Sequence, residues 1–309
     1  MQNVLIQQPK PSLLWRIFKA FRALSLTATV MPIVATWLFL LTTGHVINSF
    51  NGVTAILAVM CLQISVNVFN DIADHNKKID LPGTLGGSGV IQQGWLSASQ
   101  MSFIGWLSLM LAFILGLPSL LFSPMGVSIC AVFALIGVLG YSGKPFYFKY
   151  VGLGDVLVWL LCGPILVAGF SFAITAQLMW PVLLIGAYFG FIAAAILNAN
   201  NINDMAIDAA SGAKTLAIKL GFERARRLQL FYYVGAFSMT LGLFYWLGFW
   251  VVLPWLALPL VMGHIRCLMA APTGDHASLS DVRFNAAKLH LVLGLLLSAS
   301  VGLALVFRV

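Results

Sequence analysis

Nine times along this 309-residue chain the sequence runs apolar for about the length that crosses a lipid bilayer. The runs lie at approximately 24–43, 49–71, 100–122, 125–141, 152–173, 178–203, 227–247, 250–270 and 286–306. A hydrocarbon core offers no water to backbone N–H and C=O groups, so a spanning segment must be a helix or part of a closed barrel. Barrel strands are roughly ten residues long and alternate in polarity, and these runs do neither. The sequence therefore predicts an all-α integral membrane protein, a bundle of nine transmembrane helices. Hydrophobic residues make up 61% of the chain and charged residues 8%, which leaves no stretch for a separate soluble domain. A single membrane domain over 1–309 is expected.

The charges support that count independently. With nine spans, one face holds the N-terminus and the connections after spans 2, 4, 6 and 8, and 16 of the 17 Lys and Arg residues fall there. Only Arg308 lies opposite. All nine acidic residues fall on or near the same face, whereas connections such as 43–48 and 118–124 carry no charge. Because Lys and Arg accumulate in cytoplasmic loops, this face reads as cytoplasmic. The expected setting is a bacterial-type inner membrane, with the N-terminus in the cytoplasm and the C-terminus on the far side. The net charge of +8 is then a basic membrane face, suited to anionic lipid headgroups or a diphosphate and not to nucleic acid.

Residues 1–23 form an N-terminal cytoplasmic segment without the pattern of a cleavable signal. Within it, Arg16, Lys19 and Arg22 lie to one side of a helix and Leu14, Phe18 and Phe21 supply apolar contact, which predicts a short interfacial helix over 9–24. Cys61, Cys130, Cys162 and Cys267 lack metal-ligand spacing and read as small core residues.

Two polar bursts break the apolar pattern, and they hold five of the nine acids. In the first, Asn67, Asn70, Asp71 and Asp74 are spaced to form one stripe on a helix, with Asp80 beyond it. In the second, Asn200 or Asn201, Asp204 and Asp208 repeat the arrangement. Both bursts close spans that end on the same face. Carboxylates at the edge of a membrane are costly without partners. Each stripe alone reads equally as helix caps and solvated loop charge. Two facing stripes call for a cation, and oxygen-only donors suit Mg²⁺, which keeps several waters and completes its shell with phosphate oxygens. Lys144, Lys214 and Lys78 lie on neighbouring loops of that face and are candidates to neutralise a diphosphate. A cation-coupled transporter is the rival reading of such acids, but it places them near the midplane on broken helices.

The segment Asn67-Val-Phe-Asn-Asp-Ile-Ala-Asp74, with Asp80, resembles the first acidic motif of the UbiA prenyltransferase superfamily. Asn201-Ile-Asn-Asp204-Met-Ala-Ile-Asp208, continuing through Gly212-Ala-Lys214-Thr215, resembles the second. Tyr141-Ser-Gly-Lys144-Pro and Tyr150-Val-Gly-Leu-Gly154-Asp155 are similar to the middle cytoplasmic loop of the branch that prenylates 1,4-dihydroxy-2-naphthoate. The resemblance implies a nine-helix bundle with its active site opening on the cytoplasmic side. It also implies a Mg²⁺-dependent reaction between a polyprenyl diphosphate and an aromatic acceptor in menaquinone biosynthesis. It gives Asn70, Asp71, Asp74, Asp204 and Asp208 as metal ligands, the four aspartates as the catalytic set, and Lys144 and Lys214 as diphosphate contacts. Asn67, Tyr141, Asp155 and Asn201 complete the expected substrate-binding set. Other acceptors open to the family are 4-hydroxybenzoate, homogentisate and lipid alcohols. The glycine-rich stretch 81–94 is either a cap over the substrate or a flexible connection, and it carries Ser88-Gly89 where related enzymes often have an arginine. Asp155 is either an acceptor contact or a carboxylate complementing a helix N-terminus.

Overall fold

The computed structural model describes residues 10–80, 87–273 and 276–307. No strand occurs among them. A short amphipathic helix, α1 (Leu13–Ala20), is capped by Ser12, whose hydroxyl accepts from the Trp15 N–H. It leaves Leu13, Leu14, Trp15 and Phe18 exposed, as an interfacial helix would. The chain then reverses through Arg22, held at φ +54°, and enters α2 (Thr27–Thr42) by a single 3₁₀ turn. Next come α3 (Ser49–Asn76), α4 (Ala98–Phe122), α5 (Pro124–Gly140), α6 (Gly154–Leu161) and α7 (Pro164–Thr175). The second half holds α8 (Trp180–Asn203), the short α9 (Met205–Ala210) and α10 (Leu216–Leu220), α11 (Phe222–Gly242), a single turn α12 (Phe244–Leu247), α13 (Leu258–Ala270) and α14 (His276–Phe307).

Among the described residues, six segments are long and apolar enough to cross a membrane: Ser49–Asn76, Ala98–Phe122, Gly154–Thr175, Trp180–Asn203, Phe244–Ala270 and Asp281–Phe307. Helices α2 and α5 are apolar but shorter. Two expected spans are not uniform helices. The fifth is broken between α6 and α7 at Cys162 and Gly163, because Pro164 has no N–H to give the preceding turn and starts a helix afresh. The eighth begins as a 3₁₀ stretch, Gly248–Ala257, which contains Pro254. The seventh starts earlier than the hydropathy pattern implies, since α11 takes in Glu223, Arg224, Arg226 and Arg227.

Helix α8 is the centre of the bundle and the one most completely enclosed. It achieves this with small residues. Gly186 and Gly190 let the break at Gly163 and the Trp159 carbonyl approach its backbone so closely that a methyl group at either glycine would collide. Helices α2, α11 and α14 pack around the other sides of α8, burying Ile33, Phe39, Tyr188, Phe189, Tyr233 and Leu293.

The charged connections meet at one end of this bundle. The Lys214 N–H donates to the Tyr150 carbonyl (3.0 Å), and Lys219 Nζ donates to the Val151 carbonyl (2.7 Å). Lys77 lies over the rings of both Tyr147 and Tyr150, 4.8 Å from each. Arg226 is buried, pairs with Glu223, and donates to the carbonyls of Leu268, Met269 and Ala271, the ones left open where α13 ends. This basic residue ties one helix end to another.

Candidate active site

The last three turns of α3 carry the first polar stripe inward. Asp71 and Asp74 are each 3% exposed, and Asn67 and Asn70 lie on the same face. Both oxygens of Asp71 are engaged: Arg22 Nη1 stands 3.3 Å from Oδ1, and the Ser88 N–H donates to Oδ2 at 3.0 Å. Gly87 wedges its backbone between two carboxylates, and a Cβ there would fall 2.7 Å from Asp71 Oδ1 and 2.8 Å from Asp80 Oδ2. Of the expected cap over 81–94, residues 81–86 lie outside the described residues. Gly87, Ser88, Gly89 and Gln93 lie against the cavity below.

Asp74 has three donors, which make four contacts. Tyr150 Oη (2.6 Å) and Lys149 Nζ (2.9 Å) reach Oδ1, and Lys149 Nζ (2.7 Å) and Asn70 Nδ2 (3.0 Å) reach Oδ2. Lys149 also lies 3.3 Å from Asn70 Oδ1. The second stripe bends where the first is straight. Helix α8 ends at Asn203, Asp204 sits at the junction, and Asp208 lies on α9. Asn203 Nδ2 donates to Asp204 Oδ1 at 2.7 Å.

The two stripes share one electrostatic environment with Lys149 between them. Burial raises Asp204 and Asp208, the latter to about 6, and Asp74 adds to both while Lys149 opposes. Burial pushes Asp80 up to about 7, Asp74 and Asp71 push it further, and Lys149 and Arg22 pull against them. For Lys149 itself burial favours the neutral amine, yet the Asp74 carboxylate overrides this and holds the ammonium above its ordinary value.

Beneath the stripes lies a cavity of about 1320 Å³. Asn67, Asn70, Asp74, Asp80, Tyr141, Lys149, Asn200, Asn201, Asp204 and Asp208 form its polar end. Farther in, it is lined by Val66, Leu109, Phe113, Leu161, Leu166 and Phe170, and it reaches Ala55. Ala55 and Asp74 are separated along α3 by about 28 Å of helix, at about 1.5 Å per residue. Trp106, Met110 and Phe113 on α4 and Leu135 on α5 line the cavity and are also exposed, so it opens through the flank of the bundle.

Several expected residues sit elsewhere. Lys144 and Lys214 are exposed on the adjoining loops and do not line the cavity. The cations that do line it are Lys19, Arg22, Lys149 and Arg283. Lys149 stands five residues after Lys144 in the same loop, and nothing in its sequence spacing marks it as a site residue. Arg22 was read as part of a basic helix face, and the turn at positive φ is what redirects it. Asp155 is buried behind the cavity wall and accepts from Tyr232 Oη on α11 at 3.1 Å. Asn67 lines the cavity, but its amide also donates to Ser25 Oγ (2.7 Å) and the Phe21 carbonyl (3.2 Å), which fastens the chain after α1 to α3.

Among the described residues no three His, Cys, Asp or Glu side chains converge on one point. The possible metal-binding atoms at the polar end of the cavity are nonetheless all oxygens, from Asn67, Asn70, Asp74 and Asp80 on one side and Asn200, Asn201, Asp204 and Asp208 on the other. That set fits a hard cation such as Mg²⁺, which takes one or two carboxylates and fills the rest of its shell with water and phosphate oxygens.

The model of the UbiA prenyltransferase family matches residues 29–305. The chain belongs to the UbiA prenyltransferase family. It is thus a prenyltransferase embedded in a membrane. Among curated members, it is 30% identical over 188 residues to a 1,4-dihydroxy-2-naphthoate octaprenyltransferase of Haemophilus influenzae, covering 58% of this chain and 61% of that one. It is 29% identical over 238 residues to the enzyme of the same description from Escherichia coli, covering 73% and 76%. Among solved structures, the fold is similar to a UbiA homolog from Aeropyrum pernix K1, with TM-score 0.65, 14% identity and 87% and 96% of the two chains covered. It is also similar to a UbiA homolog from Archaeoglobus fulgidus bound to GPP and Mg²⁺, with TM-score 0.60, 15% identity and 92% and 99% covered. These structural likenesses establish the shared family fold.

Proposed function

We propose that this enzyme transfers a polyprenyl chain from its diphosphate to an aromatic acceptor, 1,4-dihydroxy-2-naphthoate, with Mg²⁺. The observation that carries the reading is the polarity of the cavity, acid-lined at one end and apolar for most of its depth. A donor with an anionic head and a hydrocarbon tail has that polarity. The acceptor follows from relatives in two bacteria that are named for it. The bundle crosses the membrane nine times with the acidic mouth towards the cytoplasm, where 16 of 17 basic residues gather.

Asn70 and Asp74 would hold one Mg²⁺ ion and Asp204 and Asp208 a second, with Asn201 beside them. The bound cations supply charge stabilisation for the departing diphosphate. Lys149 and Arg22, which line the cavity beside the acids, add positive charge to the same oxygens, in the place expected for Lys144 and Lys214. The allylic carbon–oxygen bond breaks with its electron pair on the diphosphate. Tyr141 and Trp106 present aromatic rings to the cavity that shelter the resulting carbocation, and the enclosing apolar walls exclude water from it. The ring carbon that bears the acceptor's carboxylate then attacks the cation; its bond to the carboxylate breaks, CO₂ leaves, and the electron pair of that bond returns to the ring and restores its aromaticity. Asp155 is tied to Tyr232 behind the wall, which links the start of α6 to α11.

The test incubates purified protein with prenyl diphosphates of several lengths, Mg²⁺ and a panel of quinone precursors. Prenylated dihydroxynaphthoate with release of diphosphate is the expected result. Folded protein that releases no diphosphate with any pair overturns the reading.

A further inference from the structure

Asp74 is saturated. A carboxylate offers about four acceptor sites, and here Tyr150, Asn70 and the doubly bonded Lys149 supply four contacts. No cation can bind either oxygen until a donor leaves. Of the three, Tyr150 is buried, its ring packs with Ile79 and Ala213, and its carbonyl is bound by the Lys214 N–H. Asn70 lies on the same helix as Asp74, four residues away, and moves with it. Lys149 is the donor free to go. Its charge sits on a flexible four-carbon stem, its ammonium lines the cavity, and Asp204 and Asp208 lie near enough to feel it.

We propose that Lys149 is an exchangeable counter-ion. It occupies the cation position on Asp74 in the metal-free enzyme and moves onto the diphosphate when a divalent cation displaces it. The proposal rests on the reading of the acidic mouth as a metal–diphosphate site and adds an order to its filling. Cation and diphosphate each favour the arrangement the other needs, one by taking the carboxylate and the other by taking the ammonium, so their binding is positively coupled. Either alone meets a site closed by the salt bridge. The exchange also spares Asp74 from ever standing as an uncompensated buried charge.

The experiment measures Mn²⁺ binding to the detergent-solubilised full chain by electron paramagnetic resonance of the free ion, with no prenyl substrate present. Lys149→Met is expected to bind Mn²⁺ roughly tenfold more tightly than the native chain, the scale set by removing one nearby competing charge. Lys149→Arg, which keeps the charge, is expected to match the native chain. Unchanged or weaker Mn²⁺ binding by Lys149→Met overturns the exchange. Equal tightening by Arg22→Met, which strips a cation from Asp71 instead, makes the effect one of general charge and also overturns it. A second measurement needs no substitution: acetylation of Lys149 in the native chain, followed by peptide mass, is expected to speed up several-fold when Mn²⁺ is added. A rate that Mn²⁺ leaves unchanged or lowers shows a fixed salt bridge and overturns the proposal. A native chain that binds no Mn²⁺ even with inorganic diphosphate present is a different result, and it removes the metal-site reading itself.

Discussion

Gly87→Ala tests the geometry of the acidic mouth where the backbone passes between the Asp71 and Asp80 carboxylates. The residue has φ +54°, a region where a Cβ costs about 1–2 kcal/mol. The added methyl would also fall 2.7 Å from Asp71 Oδ1 and 2.8 Å from Asp80 Oδ2, well inside contact distance of both. The turn must retreat, and retreat breaks the 3.0 Å bond from the Ser88 N–H to Asp71, an interaction with a charged acceptor worth about 1.5–3 kcal/mol. The local penalty is then about 3–5 kcal/mol. Because the turn lies over the cavity and not in the helical core, movement relieves the steric overlap but not the loss of that bond, and the melting temperature falls by a few degrees. Catalysis bears the displacement as well, since a shift of about 1 Å in a positioning group costs about 10²-fold in rate. The assay is diphosphate release by protein in lipid vesicles, reported as kcat/KM beside a thermal melt. Gly94→Ala is the control, because Gly94 has φ +64° but nothing within 4 Å of its would-be Cβ. Equal losses of kcat/KM in the two variants would show that backbone strain alone matters and would refute the steric argument.

Three further outcomes follow from the same contacts. Tyr150→Phe removes a 2.6 Å donor from Asp74 without changing the ring, so kcat/KM should fall roughly tenfold or more while the fold holds, and an unaltered kcat/KM across prenyl donors would count against a positioning role. Ala58→Trp fills the apolar depth of the cavity and should shift preference towards shorter donors, read as the ratio of kcat/KM for a short and a long prenyl diphosphate; a constant ratio would mean the tail lies elsewhere. Gly190→Val drives a branched side chain against the Trp159 carbonyl at the centre of the bundle, and should destabilise the protein by about 3 kcal/mol or prevent its accumulation, measured by melting in detergent.

Much of this arrangement could be read before the structure. The apolar runs located the long helices because length and polarity are what a bilayer selects. The acids of α3 were legible because helical spacing alone aligns Asn67, Asn70, Asp71 and Asp74. What stayed hidden depends on backbone turns that hydropathy does not encode. Arg22 meets Asp71 only because the chain reverses at a left-handed residue, and Lys149 reaches Asp74 only through the irregular path of 141–153. The break at Gly163 was written in the Gly-Pro pair but looked uniform by hydropathy. Asp155 shows a third limit. A carboxylate at a helix start can face a cavity or a neighbouring helix, and only the position of Tyr232 on α11 decides between them.

The flank opening at Trp106, Met110, Phe113 and Leu135 has a bearing on how such an enzyme is measured. A tail that enters sideways is drawn from the two-dimensional solution of the bilayer, not from water. The concentration that governs occupancy is then molecules of donor per molecule of lipid. Adding inert lipid at fixed donor and enzyme dilutes the substrate although the volume of the tube is unchanged, and an apparent KM quoted in molar units describes the vesicle preparation as much as the protein.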